Sequence, residues 1–382
     1  MTRLLEQRVV LPGDDGANDP PRAADSRRVW NERATLLVVV EDDDGLFGLG
    51  EAAPLPDYSP DTLDDAWAEL APLVGKGLPA LESGASRELL ALSESMRSPA
   101  ARFALESALL DLWSRQRGEP AWTLLGRLLG ELTGSTAQAD VATGAERAVA
   151  ALLPADSGHA LDYAERAFER GIRCFKAKAG APRAWSDELA TLRALRRRFP
   201  DVRLRVDANQ ALSPAELWQR LPAFRELRLE WLEEPTARFP EGIDWEVGVP
   251  LALDESLQRT PPTPDTARRH GVRAYVLKPT TLGGYVRANE LAGVAGAAGL
   301  DVVLSHAYEG PVGFSAVAAL ALALGSSRPP DGLDRHAGLA DAPSLPAFDG
   351  ETRHVRAWSE PGFGLALAPL VERRPPAREV RA

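Results

Sequence analysis

The sequence predicts an α/β protein in which an α+β module precedes a closed barrel of parallel strands. Three observations predict it. From about Val149 onward, short apolar runs alternate with segments of helical spacing, the βαβ repetition of a parallel sheet with right-handed crossovers. Seven or eight such units fall within about 190 residues, which suits a closed barrel better than an open sheet. The first 130 or so residues lack that alternation and read as strands followed by helices.

In order, residues 4–11 alternate loosely and read as a strand. Gly13 to Asp25, rich in Gly, Asp and Pro, reads as a loop. Ala34 to Glu41 is a β-rich run, and Leu46 to Gly50 is its return strand. The intervening Asp42-Asp43-Asp44-Gly45 is a turn whose acidic run reads as a solvated hairpin tip. Glu51 to Pro60 holds three prolines and reads as a second loop. From Asp61 to about Gly130 the pattern is helical. Ser98-Pro99 marks one helix start, and Ala104, Leu105, Ala108, Leu109 and Leu112 follow at helical spacing.

The barrel strands are predicted at 149–153, 172–178, 202–207, 229–233, 250–254, 274–278 and 301–305. Helices are predicted between and after them at 160–170, 185–198, 214–226, 265–270, 285–298 and 312–324. From about Ala340 the repetition is lost. Gly362-Phe363-Gly364 reads as a turn, and Arg373 to Ala382 reads as a frayed end.

Composition removes several function classes. A net charge of −11 disfavours nucleic acid or an anionic membrane surface as partner. No run of roughly 18 apolar residues exists to span a membrane, and no apolar run after Arg3 suggests a signal peptide. The single cysteine, Cys174, allows no intrachain disulfide and fits a reducing, cytoplasmic compartment. The charge does not forbid a small-molecule carboxylate substrate, because a metal or a local cluster can invert the field in a pocket, and it leaves monomer and homo-oligomer both open.

Of 44 Lys and Arg residues only four are lysine: Lys76, Lys176, Lys178 and Lys278. Arg stays protonated while Lys can be tuned to exchange a proton. Two lysines one residue apart in such a chain mark positions where Arg cannot serve. In a parallel barrel the active site lies at the C-terminal ends of the strands. Five consecutive strands end in Lys176 and Lys178, then Arg205-Val206-Asp207-Ala208-Asn209, Glu233-Glu234-Pro235, Asp254-Glu255-Ser256 and Lys278-Pro279, at steps of 21 to 29 residues. Three carboxylates converging on one mouth raise each other's pKa unless a cation neutralises them. Hard oxygen ligands suit Mg²⁺, which keeps positions open for substrate. A carboxylate substrate held there would lose its α-proton to a lysine, and the metal would stabilise the enediolate. Strand alternation turns Lys176 and Lys178 to one face, where each lowers the other's pKa.

This set of strand ends resembles the enolase superfamily, and nearly the whole chain resembles its muconate-lactonizing-enzyme subgroup. The resemblance implies a (β/α)7β TIM-like barrel with an α+β capping domain. Residues 1–140 would form the N-terminal part of the cap, 141–340 the barrel, and 341–382 a segment returning to the cap. It implies that Lys178 is the base and Lys278 the opposite catalytic lysine. It implies Asp207, Glu233 and Asp254 as ligands of Mg²⁺, with Mn²⁺ able to substitute. The first Glu of Glu-Glu-Pro is chosen because the second is often Gln in the family. Lys176 would orient the substrate carboxylate and depress the pKa of Lys178.

The finer resemblance is to the o-succinylbenzoate synthase family of menaquinone synthesis. Gly50-Glu51-Ala52-Ala53-Pro54-Leu55-Pro56 with Tyr58-Ser59-Pro60 is similar to its cap loop. Leu277-Lys278-Pro279-Thr280, Leu304 to Gly313 and Gly332-Leu333-Asp334 are similar to its sixth, seventh and eighth strand ends. Three features depart: His306 stands where a small residue is usual, the 13–25 loop has no counterpart, and 136–148 resembles an insertion. The implied reaction is syn loss of water from a succinyl-bearing hydroxycyclohexadiene carboxylate. Lys178 would take the α-proton, and Lys278 would face the intermediate as a cation. The same residues suit a 1,1-proton transfer, so N-acylamino-acid racemase is the alternative. Dipeptide epimerase fits less, because Asp334-Arg335-His336 replaces an Asp-x-Asp pair, and Lys278-Pro279 fits muconate cycloisomerase poorly. A non-catalytic binding protein predicts loss of a mouth residue, and none is missing.

Other residues carry narrower expectations. Asn209, Ser305 and Glu309 would orient the substrate or its neighbours by hydrogen bonds. Arg205 points inward to pair with carboxylates. Cys174 is a packed core thiol, and His306 is a satisfied polar residue near the mouth.

Overall fold

The computed structural model describes the chain except for residues 12–28, 78–84, 134–145, 155–156, 181–184, 239–247, 260, 262, 326–327, 340–341, 343–344 and 349–353. The expected 13–25 loop lies outside the described residues. So do most of the expected insertion at 136–148 and the expected boundaries at 140/141 and 340/341.

Three N-terminal strands form a meander: β1 (Arg3–Val10), β2 (Glu32–Glu41) and β3 (Phe47–Ala52). Leu36 to Val40 of β2 is an unbroken apolar run, buried throughout, because this strand is central and covered on both faces. The acidic turn closes on itself, with Asp42 Oδ1 accepting the N–H groups of Asp44 and Leu46. Four helices follow: α1 (Leu63–Leu70), α2 (Ala85–Ser95), α3 (Pro99–Arg117) and α4 (Ala121–Thr133). Ser98 caps α3 by accepting from the Ala101 N–H, Pro99 occupies its first turn, and Gly118 ends it at φ 66°. This helix lies directly on β3. A Cβ on Gly48 would stand 2.1 Å from the Ala108 carbonyl oxygen, and one on Gly50 would stand 1.8 Å from that of Ala104. Only glycine permits that approach.

β4 (Glu146–Ala148) precedes the barrel and pairs antiparallel with a late strand, β12 (His354–Arg356). The barrel strands are β5 (Ala151–Leu152), β6 (Cys174–Lys178), β7 (Arg203–Asp207), β8 (Trp231–Glu233), β9 (Leu251–Leu253), β10 (Val272–Leu277) and β11 (Asp301–Leu304). They form one parallel sheet in that order. Its helices are α5 (Ser157–Glu169), α6 (Trp185–Arg198), α7 (Pro214–Glu226), α8 (Pro264–Arg269), α9 (Pro279–Leu282), α10 (Gly284–Ala297) and α11 (Pro311–Ala323). Helix α7 starts where the spacing predicts because Ser213 and Glu216 form a capping box around Pro214. The eighth strand is reduced to Asp331 and Gly332. Their parallel bridges to Val149 and Ser305 close the ring between β5 and β11.

Helix α11 is apolar on every side and wholly buried, packing on β11 and also on α3, α4 and β3. It joins barrel to cap. No helix of the described residues is long and apolar enough to cross a membrane. After α12 (Leu367–Arg373), Arg378–Arg381 forms β13 and pairs antiparallel with β1. The expected fraying of 373–382 is therefore corrected: the edge of β1 offers unpaired backbone groups, and the tail satisfies them.

Candidate active site

The register of the barrel brings the strand ends together. Lys178 lies opposite Asp207 on β7, and Asp207 opposite Glu233 on β8. Asp254 follows β9 directly. One carboxylate oxygen from each of Asp207, Glu233 and Asp254 can lie within 4.8 Å of the others, and all three residues are buried. Glu234, the other glutamate of the pair, turns away. Its carboxylate accepts the Asp254 N–H at 2.9 Å and bonds with Ser256 and Gln210.

The lysines face this group. Lys176 Nζ is 2.6 Å from Glu233 Oε1 and 2.8 Å from Asp207 Oδ2. Lys178 Nζ donates to Asp207 Oδ2 at 2.7 Å and to Asn209 Oδ1 at 2.8 Å. Lys278, from the far side of the ring, bonds to Asp254 and to the Tyr58 hydroxyl. Its ammonium stands 4.7 Å from the Tyr58 ring centroid, and the Tyr58 hydroxyl donates to Asp254 at 3.0 Å. Tyr58 comes from the 51–60 loop of the cap, so the cap reaches the mouth.

Electrostatics follow from this packing. Burial works against the charges on Lys176 and Lys278, but facing carboxylates hold both pKa values above the ordinary lysine value. Asp207 and Glu233 do so for Lys176, and Asp254 for Lys278. The expected depression of one lysine by its neighbour does not govern Lys176, whose ammonium lies between two carboxylates. Asp207 is held below its usual range despite burial, because Lys176, Lys178 and Lys278 surround it. Glu233 is pushed up to about 7 by burial and by the charge of Asp207. Three lysines match the acidic trio in number, but Glu234 and Glu255, buried against Asp254, bring the carboxyl groups of the mouth to five. A buried set of three hard oxygen donors with unmet negative charge fits a divalent cation such as Mg²⁺.

A cavity opens beside these groups. Its wall includes Lys176, Lys178 and Lys278, and also Ser305, His306, Tyr308, Leu152 and Asp334. Ser305 thus lines the cavity. His306 Nδ1 accepts the Tyr308 N–H at 3.3 Å, and its ring packs against His336 with centroids 4.5 Å apart and the planes tilted by 41°. Burial, then the nearby lysines, push the His306 pKa down to about 3, so the ring is neutral. Asp334 accepts from Tyr163 at 2.8 Å and is pushed up to about 6 by burial.

Three expectations need correction. Glu309 does not face the cavity: it is fully buried, accepting from Thr280 at 2.6 Å and from the Ala307 N–H at 2.7 Å. Asn209, 1 % exposed, orients Lys178 and Glu255 rather than a substrate. Arg205 does pair with a carboxylate, but not with one at the mouth. It bonds Glu230 at 2.6 Å and the Pro330 carbonyl at 2.8 Å, and lies 4.0 Å over Trp231, at the other end of the strands. Cys174 is packed there as expected, with burial pushing its thiol up to about 12.

Sequence reasoning assigned no role to Tyr58, Tyr308 or His336. The signal for Tyr58 was its place just after the Gly50–Pro56 motif. Backbone strain also marks the mouth. Of the six non-glycine residues at positive φ among those described, five lie there: Asp57, Asn209, Gln210, Glu234 and Tyr308.

Two family models match the chain. "Enolase C-terminal domain-like" matches residues 159–371, and "Mandelate racemase / muconate lactonizing enzyme, N-terminal domain" matches 19–126. The N-succinylamino acid racemase of Thermus thermophilus is 31 % identical over 311 residues, 78 % of each chain. The o-succinylbenzoate synthase of Klebsiella pneumoniae is 29 % identical over 347 residues, 86 % of this chain and 92 % of that one. Among solved structures, the N-succinyl Arg/Lys racemase of Bacillus cereus superposes with a TM-score of 0.77 at 19 % identity, covering all of both chains. That likeness supports the barrel-and-cap fold alone.

Proposed function

The chain belongs to the enolase superfamily, in its mandelate racemase / muconate lactonizing enzyme group, and from that premise we propose that it is an o-succinylbenzoate synthase serving menaquinone synthesis in the cytoplasm. The observation that carries the reading is the placement of Lys178 and Lys278 on strands four apart in the ring, facing one cavity across Asp207, Glu233 and Asp254.

The substrate is a hydroxycyclohexadiene carboxylate with a succinyl side chain. Asp207, Glu233 and Asp254 hold the metal, Mg²⁺ or Mn²⁺, which when bound supplies positive charge to the substrate carboxylate. Lys178, freed from Asp207 and steered by Asn209, takes the proton α to that carboxylate. The C–H electron pair moves into the carboxylate system and then into the ring as the C–O bond breaks. Lys178 returns its proton to the departing hydroxide, giving water and an aromatic ring. Lys278, fixed by Asp254 and Tyr58, stays a cation against the flattened ring. Lys176 positions the carboxylate.

A second reading rests on the same pair of lysines, because Lys278 as well as Lys178 reaches the cavity. With an N-succinylamino acid, Lys178 and Lys278 would exchange the α-proton from opposite faces. Turnover of both substrate classes with Mg²⁺, in wild type and Lys278→Arg, separates the two. Arg keeps the charge but cannot act as a base, so dehydration should persist in part and racemisation should vanish. Wild type inactive on both substrates would sink the assignment.

A further inference from the structure

We propose that the His306 side of the cavity is an anion subsite for the second, remote carboxylate of the substrate, with His306 donating to it, Arg33 supplying positive charge behind and His336 a further N–H donor. This rests on the reading above that the substrate carries a succinyl arm.

The argument is an excess of donors. His306 lines the cavity, and its Nδ1 is occupied as an acceptor of the Tyr308 N–H. The neutral ring must then carry its proton on Nε2, as a donor. His336, packed behind it and fully buried, uses its Nδ1 to accept the Gly338 N–H at 3.2 Å. Its Nε2–H is thus a donor too, and it has no hydrogen-bond partner among the described residues. Arg33, from β2 of the cap, is 2 % exposed. It bonds the Ala307 carbonyl through Nη1, while Nε and Nη2 have no partner among the described residues.

The carboxylates nearest Arg33 are already engaged. Glu51 accepts the N–H groups of Gly310 and Gly313, each at 2.8 Å, at the start of α11. Glu309 is taken by Thr280 and Ala307. A buried donor left unpaired forfeits its hydration without return, and this corner holds three such nitrogens, Arg33 Nε and Nη2 and His336 Nε2. One negatively charged acceptor entering beside His306 relieves that cost. The metal site and lysines take the reacting carboxylate, so a dicarboxylate fills both poles of the cavity where a monocarboxylate fills one.

The experiment compares two ligands that differ only in the remote group: o-succinylbenzoate, and its butyryl counterpart with a methyl in place of the terminal carboxylate. Affinities are measured by calorimetry with Mg²⁺ present. Wild type should prefer the succinyl ligand by about tenfold or more, the effect of a charge-assisted bond. His306→Leu and Arg33→Gln should each erase most of that preference and leave butyryl binding unchanged. His306→Gln, which keeps an N–H donor, should retain most of it. Equal binding of the two ligands by wild type overturns the subsite, as does equal weakening of both in His306→Leu. His306→Leu decides the matter if Arg33→Gln fails to fold. A wild type that keeps the preference but turns over neither substrate overturns the reaction and upholds the subsite.

Discussion

The barrel holds its buried charge differently below the mouth and at the mouth. Arg205 meets Glu230 beneath Trp231, and nearby Arg147 meets Asp331 at 2.8 Å where the ring closes. Each of those carboxylates takes a second arginine as well, Arg203 for Glu230 and Arg328 for Asp331, and both Arg205 and Arg147 also reach a carbonyl. At the mouth the balance is reversed, with buried Asp207, Glu233, Glu234, Asp254 and Glu255 around three lysines. Asp207 Oδ2 serves both Lys176 and Lys178, and Asp254 serves both Lys278 and Tyr58. Arginines in excess of their carboxylates pin the base of the barrel. Shared pairing with a surplus of negative charge leaves contacts that a metal and a substrate can take over.

The comparison breaks most visibly at Lys178. Lys178→Ala should lower kcat by about 10³-fold or more, within the range for loss of a positioned general base, while the melting temperature in Mg²⁺-free buffer stays near wild type. Steady-state assays and thermal melts check this together. Arg205→Met should do the opposite. It removes the closer of the two arginines on Glu230, costing about 1.5–3 kcal/mol of stability by denaturant titration, with kcat per folded molecule unchanged. If Arg205→Met also abolished turnover, the two ends would not be separate.

The mouth's surplus charge predicts that Mg²⁺ stabilises the fold, by about 2.7 kcal/mol at a hundred times its Kd. Glu233→Gln with Asp254→Asn should remove that metal-dependent rise in melting temperature. A smaller effect is expected where the cap grips the mouth. Glu51→Ala leaves the Gly310 and Gly313 N–H groups unpaired and should cost about 2 kcal/mol.

The smallest expected effect is a change of slope. Glu106 on α3 accepts the Tyr285 N–H and is pushed from 4.5 up to about 8 by burial. Between those values the folded state keeps a proton that the unfolded state has lost. Stability therefore falls as pH rises from about 4.5 to 8. Glu106→Gln should flatten that fall in melts taken across the range.

Much of this was legible because local rules and the fold agree. The helices 185–198 and 214–226 fall where their spacing places them, and Ser213, Pro214 and Glu216 show why. Lysines and carboxylates at strand ends are legible because a parallel barrel repeats its register. What was not legible depends on partners distant in sequence. Tyr58 meets Asp254 across 196 residues. Glu309 is spent on Thr280, and Arg205 finds Glu230 rather than the mouth, facts of packing rather than spacing. Asp331 and Gly332 close the ring with too few residues to leave a periodic pattern.

The most direct measurement of the central claim is α-proton exchange. Wild type and Lys178→Ala, with Mg²⁺ in D₂O, would be followed by proton NMR on an N-succinylamino acid, alongside dehydration of the cyclohexadiene substrate. The account predicts that wild type processes at least one of the two and that Lys178→Ala is slower by about 10³-fold or more. Undiminished exchange or dehydration in Lys178→Ala would contradict it.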